Sequence, residues 1–99
     1  MGIDVRLETE KAEPIGEPIV DQSGRLAAAL AAAKGHLIEF IDPYGNTVFN
    51  QLQLPVVVKE LEAVLGNVGA PSREHISAVV ELLRSGLEEP HVYARFIGD

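Results

Sequence analysis

The sequence predicts an α+β domain: an antiparallel sheet of about four to five strands with three helices packed mainly on one face. Three observations carry this. Ile3, Val5 and Leu7 alternate with Asp4, Arg6 and Glu8, the period-two pattern of a half-buried strand. Two later segments instead carry apolar residues at helical spacing. Ahead of both, Asp42-Pro43-Tyr44-Gly45-Asn46-Thr47 has the turn chemistry of a hairpin. Strands and helices in this order suit an antiparallel sheet with helices on one side.

The elements follow in chain order. After the first strand, Pro14 and Pro18 flank the extended piece Ile15 to Val20 and restrict it to a sheet edge or an irregular arm. Asp21-Gln22-Ser23 offers caps for an alanine-rich helix from Gly24 to Lys34, ended by Gly35, with Leu26 and Leu30 on one face. A hairpin is expected next, pairing Leu37-Ile38-Glu39-Phe40-Ile41 with Val48-Phe49-Asn50. Gly45 is expected at positive φ, realigning the two strands through a bulge. A second helix starts near Leu54, with Pro55 in its first turn, where a missing N–H costs nothing. Its stripe is Leu54, Val57, Val58, Leu61, Val64 and Leu65, with Lys59, Glu60 and Glu62 outside; Gly66 stops it. Ser72 can cap a third helix with the stripe Ile76, Val79, Val80 and Leu83, ending at Ser85-Gly86. Pro90 introduces a last strand, His91 to Ile97, with Val92, Ala94 and Phe96 facing one way and His91, Tyr93 and Arg95 the other. Ile38, Phe40, Val92, Ala94 and Phe96 are the expected sheet contribution to the core.

Composition removes several function classes. A chain of 99 residues forms one domain, 1–99, that buries roughly 60–65% of its unfolded surface and needs no staples. It has no cysteine, which excludes disulfides, thiolate catalysis and thiolate metal sites. The amino end has no basic region followed by an apolar stretch, and no apolar run approaches the roughly 20 residues that cross a bilayer. A soluble, cytoplasmic protein is expected. Eight Lys and Arg against 15 Asp and Glu give a net charge of −7. Such a chain repels a phosphate backbone and lacks the basic clusters that counterion release needs, so no nucleic-acid partner is expected. Anionic membrane surfaces are disfavoured for the same reason. The charge fits attraction to a basic partner, or simply a solvated surface.

The stretch Ile41 to Asn50, with its Asp-Pro-Tyr-Gly turn, and the terminal Tyr93-Ala94-Arg95-Phe96-Ile97-Gly98-Asp99 together resemble a group of small, uncharacterised bacterial proteins. In those, a similar hairpin precedes a helix and a comparable strand closes the chain. The resemblance covers the second half of the chain best. It implies a bacterial origin and one compact domain, and it carries no activity, cofactor or site residue.

No catalytic constellation is legible. None of the four serines lies in a Gly-x-Ser-x-Gly elbow or beside a plausible base, and Ser23 and Ser72 read as helix caps. His36, His75 and His91 lie far apart, none with a second ligand at helical metal spacing, and His75 is expected at the surface. Gly66-Asn67-Val68-Gly69-Ala70-Pro71 lacks the Lys and Ser or Thr of a phosphate loop and reads as a helix stop and a turn. No metal or cofactor is implied. The polar residues that the topology gathers are the remaining candidates. If the last strand pairs with the hairpin, Glu39, Asn50, Tyr93 and Arg95 share the sheet face away from the helices, with Asp42, Tyr44 and Asn46 at its tip. An arginine among acidic and amide groups can orient a carboxylate or a peptide, and tyrosine supplies rigid contact area. Glu39 and Arg95 read more simply as a cross-strand ion pair on a solvated face.

Three functions fit these residues. The favoured one is a non-catalytic protein-binding domain, an inhibitor or immunity-type partner of a basic protein. The second is a small-molecule binder or minor enzyme using the polar sheet face, which requires a concavity of a few hundred Å³. The third is a structural subunit whose edge strand or exposed Val56 seals a homodimer.

Overall fold

A computed structural model describes residues 2–99. Four strands make one antiparallel sheet: β1 (Ile3–Glu8), β2 (Pro14–Ile19), β3 (Asn46–Phe49) and β4 (Tyr93–Gly98), in the spatial order β2-β1-β4-β3. Three helices, α1 (Arg25–Ala32), α2 (Leu54–Leu65) and α3 (Ala70–Ser85), pack on one face of it. The α+β class, the strand number and the one-sided helix layer are those the sequence predicts.

The alternation of β1 decides which face is covered. Ile3, Val5 and Leu7 are buried, as are Ala94 and Phe96 opposite them in register and Phe49 on β3. Against these lie Leu26 of α1, Leu54, Val57, Val58, Leu61 and Val64 of α2, and Ile76, Val79, Val80 and Leu83 of α3. Phe49 and Phe96 meet edge to face with ring centres 5.7 Å apart, the arrangement that the ring quadrupole favours. β2 is an edge strand, as its prolines require, and its register with β1 slips between Val5 and Leu7. Thr9 closes the β1–β2 turn, its hydroxyl accepting the N–H groups of Lys11 and Glu13.

The expected hairpin is not formed. Ile38–Phe40 is a turn of 3-10 helix, and β4, not the segment 37–41, pairs with β3. The cause is a tertiary contact. The Glu60 carboxylate accepts the backbone N–H groups of His36, Leu37 and Ile38, the orphan donors of a helical start. Gly35 N–H donates to Glu39 at the same place. This collar overrides the β-propensity of Leu37-Ile38-Glu39-Phe40-Ile41 and turns Phe40 outward, where it is 73% exposed rather than buried. Ile38 remains in the core. Gly45 then closes no hairpin. Its N–H lies 3.5 Å from the Asp42 carbonyl, and the glycines at positive φ are Gly16 and Gly24.

At two helix starts the serine read as a cap does not serve as one. α1 is capped from Asp21, not Ser23: the Asp21 carboxylate accepts Leu26 N–H and Ala27 N–H, and also Ile3 N–H at the head of β1. One buried side chain thus pins α1 to the sheet. The helix stops at Ala32, before Lys34 and Gly35, where Ala33 is already extended. α3 begins at Ala70 behind Gly69, which leaves Ser72 inside its first turn with no capping bond. Gln51 ties the β3–α2 turn to the entry of β4, donating to Gly86 O and Leu87 O and accepting Val92 N–H.

Candidate functional site

Because α1, α2 and α3 lie on the face bearing Ile3, Val5 and Leu7, the opposite face of the sheet has no helix over it among the described residues. Strand alternation assigns that face Asp4, Arg6 and Glu8 from β1, Tyr93, Arg95 and Ile97 from β4, and Asn46 and Val48 from β3. Three of the seven sequence candidates, Asn46, Tyr93 and Arg95, therefore share it. The other four do not. Glu39 sits in the 3-10 turn and bonds Gly35, so it is not the partner of Arg95. Asn50 accepts Gln53 N–H and its own N–H donates to the Gln53 side chain, a reciprocal box at the start of α2. Asp42 accepts Tyr44 N–H in an Asx turn and donates its own N–H to Thr47 Oγ1. Tyr44 projects from that loop into solvent.

The loop nonetheless meets the sheet. Gly98 N–H donates to Gly45 O and Asp99 N–H to Pro43 O. A side chain at Gly98 would drive its Cβ into the backbone of Pro43. Glycine there lets loop 42–45 lie across the end of β4.

The centre of the face is a charged trio. Arg6 and Arg95 stand directly opposite each other in the β1–β4 register. Glu8, two residues along β1, gives one carboxylate oxygen to both: Oε2 accepts Arg6 Nε–H at 2.5 Å and Arg95 Nε–H at 2.7 Å. The Glu8 side chain is 2% exposed, although it lies on the face no helix covers. It is flanked in register by Pro14 on β2 and Tyr93 on β4. Its burial alone would raise its pKa; the hydrogen bonds and charges of Arg95 and Arg6 outweigh that and hold it below the ordinary 4.5.

Arg6 and Glu8 are the residues that sequence reasoning missed. The signal was present in the alternation of β1, which puts both on the outward face. What the sequence lacked was the register that carries Arg95 to them.

The histidines are not gathered, and among the described residues no three His, Asp or Glu side chains could hold a metal ion. His75 is not at the surface as expected. Its ring is mostly buried against Asp21, with Nε2 3.5 Å from Oδ1 and without a hydrogen-bond partner. Asp21 itself is held below its ordinary 3.8: burial opposes ionisation, but the N–H groups of Ile3, Ala27 and Leu26 and the charge of His75 outweigh it. No described helix is long and apolar enough to cross a membrane.

The fold and this face define an α+β domain with a four-stranded antiparallel sheet covered on one side. The chain matches no family of known proteins, no curated protein and no solved structure.

Proposed function

We propose that the chain is a non-catalytic protein-binding domain and that the uncovered sheet face is its contact surface. The observation that carries this reading is the one-sided helix layer. It leaves a strand surface on which Val48, Ile97 and Tyr93 neighbour Arg95, itself opposite Arg6 in register. Arginine and tyrosine beside apolar side chains are the residues in which binding energy concentrates at protein interfaces. A small-molecule site would need concavity. The grooves of about 480 and 450 Å³ open elsewhere, one of about 350 Å³ touches the face only at its end through Asp4 and Ile97, and none of the three is lined by Tyr93 or Arg95. The net charge of −7 favours a basic partner, as an inhibitor or immunity-type protein would meet, and the interior of the cell is the compartment this reading assumes.

Capture from the native cell extract with the wild-type domain and with two variants tests it. Val48→Glu alters the proposed face, and Lys59→Glu alters the exposed side of α2. A partner lost with Val48→Glu and kept with Lys59→Glu is the expected result. The reverse pattern would move the interface to the helix layer.

A homodimer is the second reading, and one observation favours it. β2 is guarded at its edge by Pro14 and Pro18, whereas the opposite edge strand, Asn46–Phe49, carries neither proline nor charge. Light scattering of the purified chain at increasing concentration separates the two: a mass of twice 10.7 kDa supports strand-edge pairing of two copies.

A further inference from the structure

Two guanidinium ions placed directly opposite on neighbouring strands repel each other unless a counter-charge lies between them. Glu8 supplies only one. Two positive groups share a single carboxylate, so the trio keeps one uncompensated positive charge on a chain that is otherwise strongly acidic. The donor count has the same imbalance. A guanidinium carries five N–H groups, and both arginines spend only Nε–H within the protein. Their Nη groups donate to no side chain or carbonyl among the described residues. They reach solvent, the side chains of Arg6 and Arg95 being 32% and 23% exposed.

Orientation is already supplied. A free arginine loses rotamer entropy when it binds, but here a buried carboxylate holds both forks through Nε. The surroundings limit what fits. Val48 lies opposite Arg95, Ile97 is two residues along β4, and Tyr93 is two residues the other way. Asp4, two residues from Arg6 on the same face, bounds the positive spot at one end; its Oδ1 accepts Asp21 N–H. Asp4 brings the four charges of the face to zero, so what the site offers is a pair of free, oriented guanidinium edges among apolar neighbours, which match a singly charged planar anion. A phosphate dianion would overcompensate the spot beside Asp4.

We propose that Arg6 and Arg95, clamped together by Glu8, form a receptor for one carboxylate side chain, an aspartate or glutamate that the partner protein presents to the sheet face. This rests on the reading of that face as a protein contact. Within it, the partner is basic overall yet carries one acidic residue that fixes its register, seated in the fork–fork geometry that guanidinium and carboxylate favour.

Nuclear magnetic resonance titration of the labelled protein tests the receptor without a known partner. The probes are N-acetyl-Leu-Glu-Leu-amide, its glutamine counterpart and inorganic phosphate. The glutamate peptide is expected to shift the Nε–H resonances of Arg6 and Arg95 saturably, and to bind about tenfold more tightly than the glutamine peptide, the ratio that one charge-assisted contact supplies. Arg95→Gln is expected to abolish that preference. Should the variant fail to fold, Arg95→Lys, which keeps the charge but not the fork, is expected to reduce it. Equal binding of the two peptides, or an undiminished preference in Arg95→Lys, would overturn the proposal. So would phosphate binding more tightly than the glutamate peptide, which would make the spot a general anion site. A captured partner that is weakened by Val48→Glu but unaffected by Arg95→Gln would sink the receptor while leaving the sheet-face reading intact. Indifference to both changes would remove that reading as well.

Discussion

Glu8 shows how much one side chain decides here. Replacing it with Gln removes the shared charge while keeping the shape, leaving Arg6 and Arg95 opposed with a neutral amide between them. A loss of about 1–3 kcal/mol is expected, the range for a hydrogen-bonded charged group deprived of its partner, and urea unfolding of Glu8→Gln measures it. The two phenylalanines on which the sequence made the same prediction now separate. Phe96 is fully buried against Phe49, and Phe96→Ala should cost roughly 3–5 kcal/mol. Phe40 points into solvent, so Phe40→Ala should change stability by less than about 0.5 kcal/mol. A large loss at Phe40 would mean that another molecule covers it.

At the scale of elements, the legible parts were those whose burial follows their own period. The stripes of α2 and α3, the alternation of β1 and β4, and the proline-marked edge of β2 all declare themselves within one segment. Segment 37–41 does not, because its conformation is set by Glu60, some twenty residues later in sequence and on another element. Local apolar alternation cannot report a carboxylate that arrives from elsewhere. Asp21 was legible as a cap, but not as the buried link between α1, β1 and His75. Replacing Asp21 with Ala strips the N–H groups of Ile3, Leu26 and Ala27 of their acceptor. The expected loss is about 2 kcal/mol, the upper end for a helix cap, with hydrogen exchange accelerated first at α1 and the head of β1. Of the candidate site, Tyr93 and Arg95 were found from the alternation of the last strand and Asn46 only as part of a hairpin tip that does not form, while Arg6 and Glu8 needed a strand pairing that no turn chemistry announces.

The whole molecule should register acid through three carboxylates. Glu8, Asp21 and Glu60 are each ionised more readily in the fold than in an open chain, since the hydrogen bonds they accept outweigh the burial that opposes charge. A folded pKa below the unfolded one stabilises the native state above the unfolded value, and that contribution is lost as pH falls through the folded value. The urea midpoint should therefore hold steady above an ordinary glutamate value of 4.5 and decline beneath it. In the double variant Asp21→Asn, Glu60→Gln the decline should be shallower, starting from a lower plateau. An unchanged slope would assign acid sensitivity to general charge repulsion instead. The net charge acts at longer range. Association with a basic partner should slow as salt is added, because attraction between the surfaces is screened beyond about 8–10 Å at physiological ionic strength. A rate constant indifferent to salt would remove the basic partner.

The placement of β4 between β1 and β3 has a consequence for how the chain is made. Synthesis delivers β1, β2, the helices and β3 before the strand that joins the two halves of the sheet. Until Tyr93 to Gly98 emerges, β1 and β3 each present an unpaired margin, and the core lacks Ala94 and Phe96. A nascent chain paused at Pro90 should therefore remain protease-sensitive and tend to associate through those margins, as strands without neighbours do. Protection should arrive in one late step, when β4 inserts between two strands that do not pair with each other in the fold.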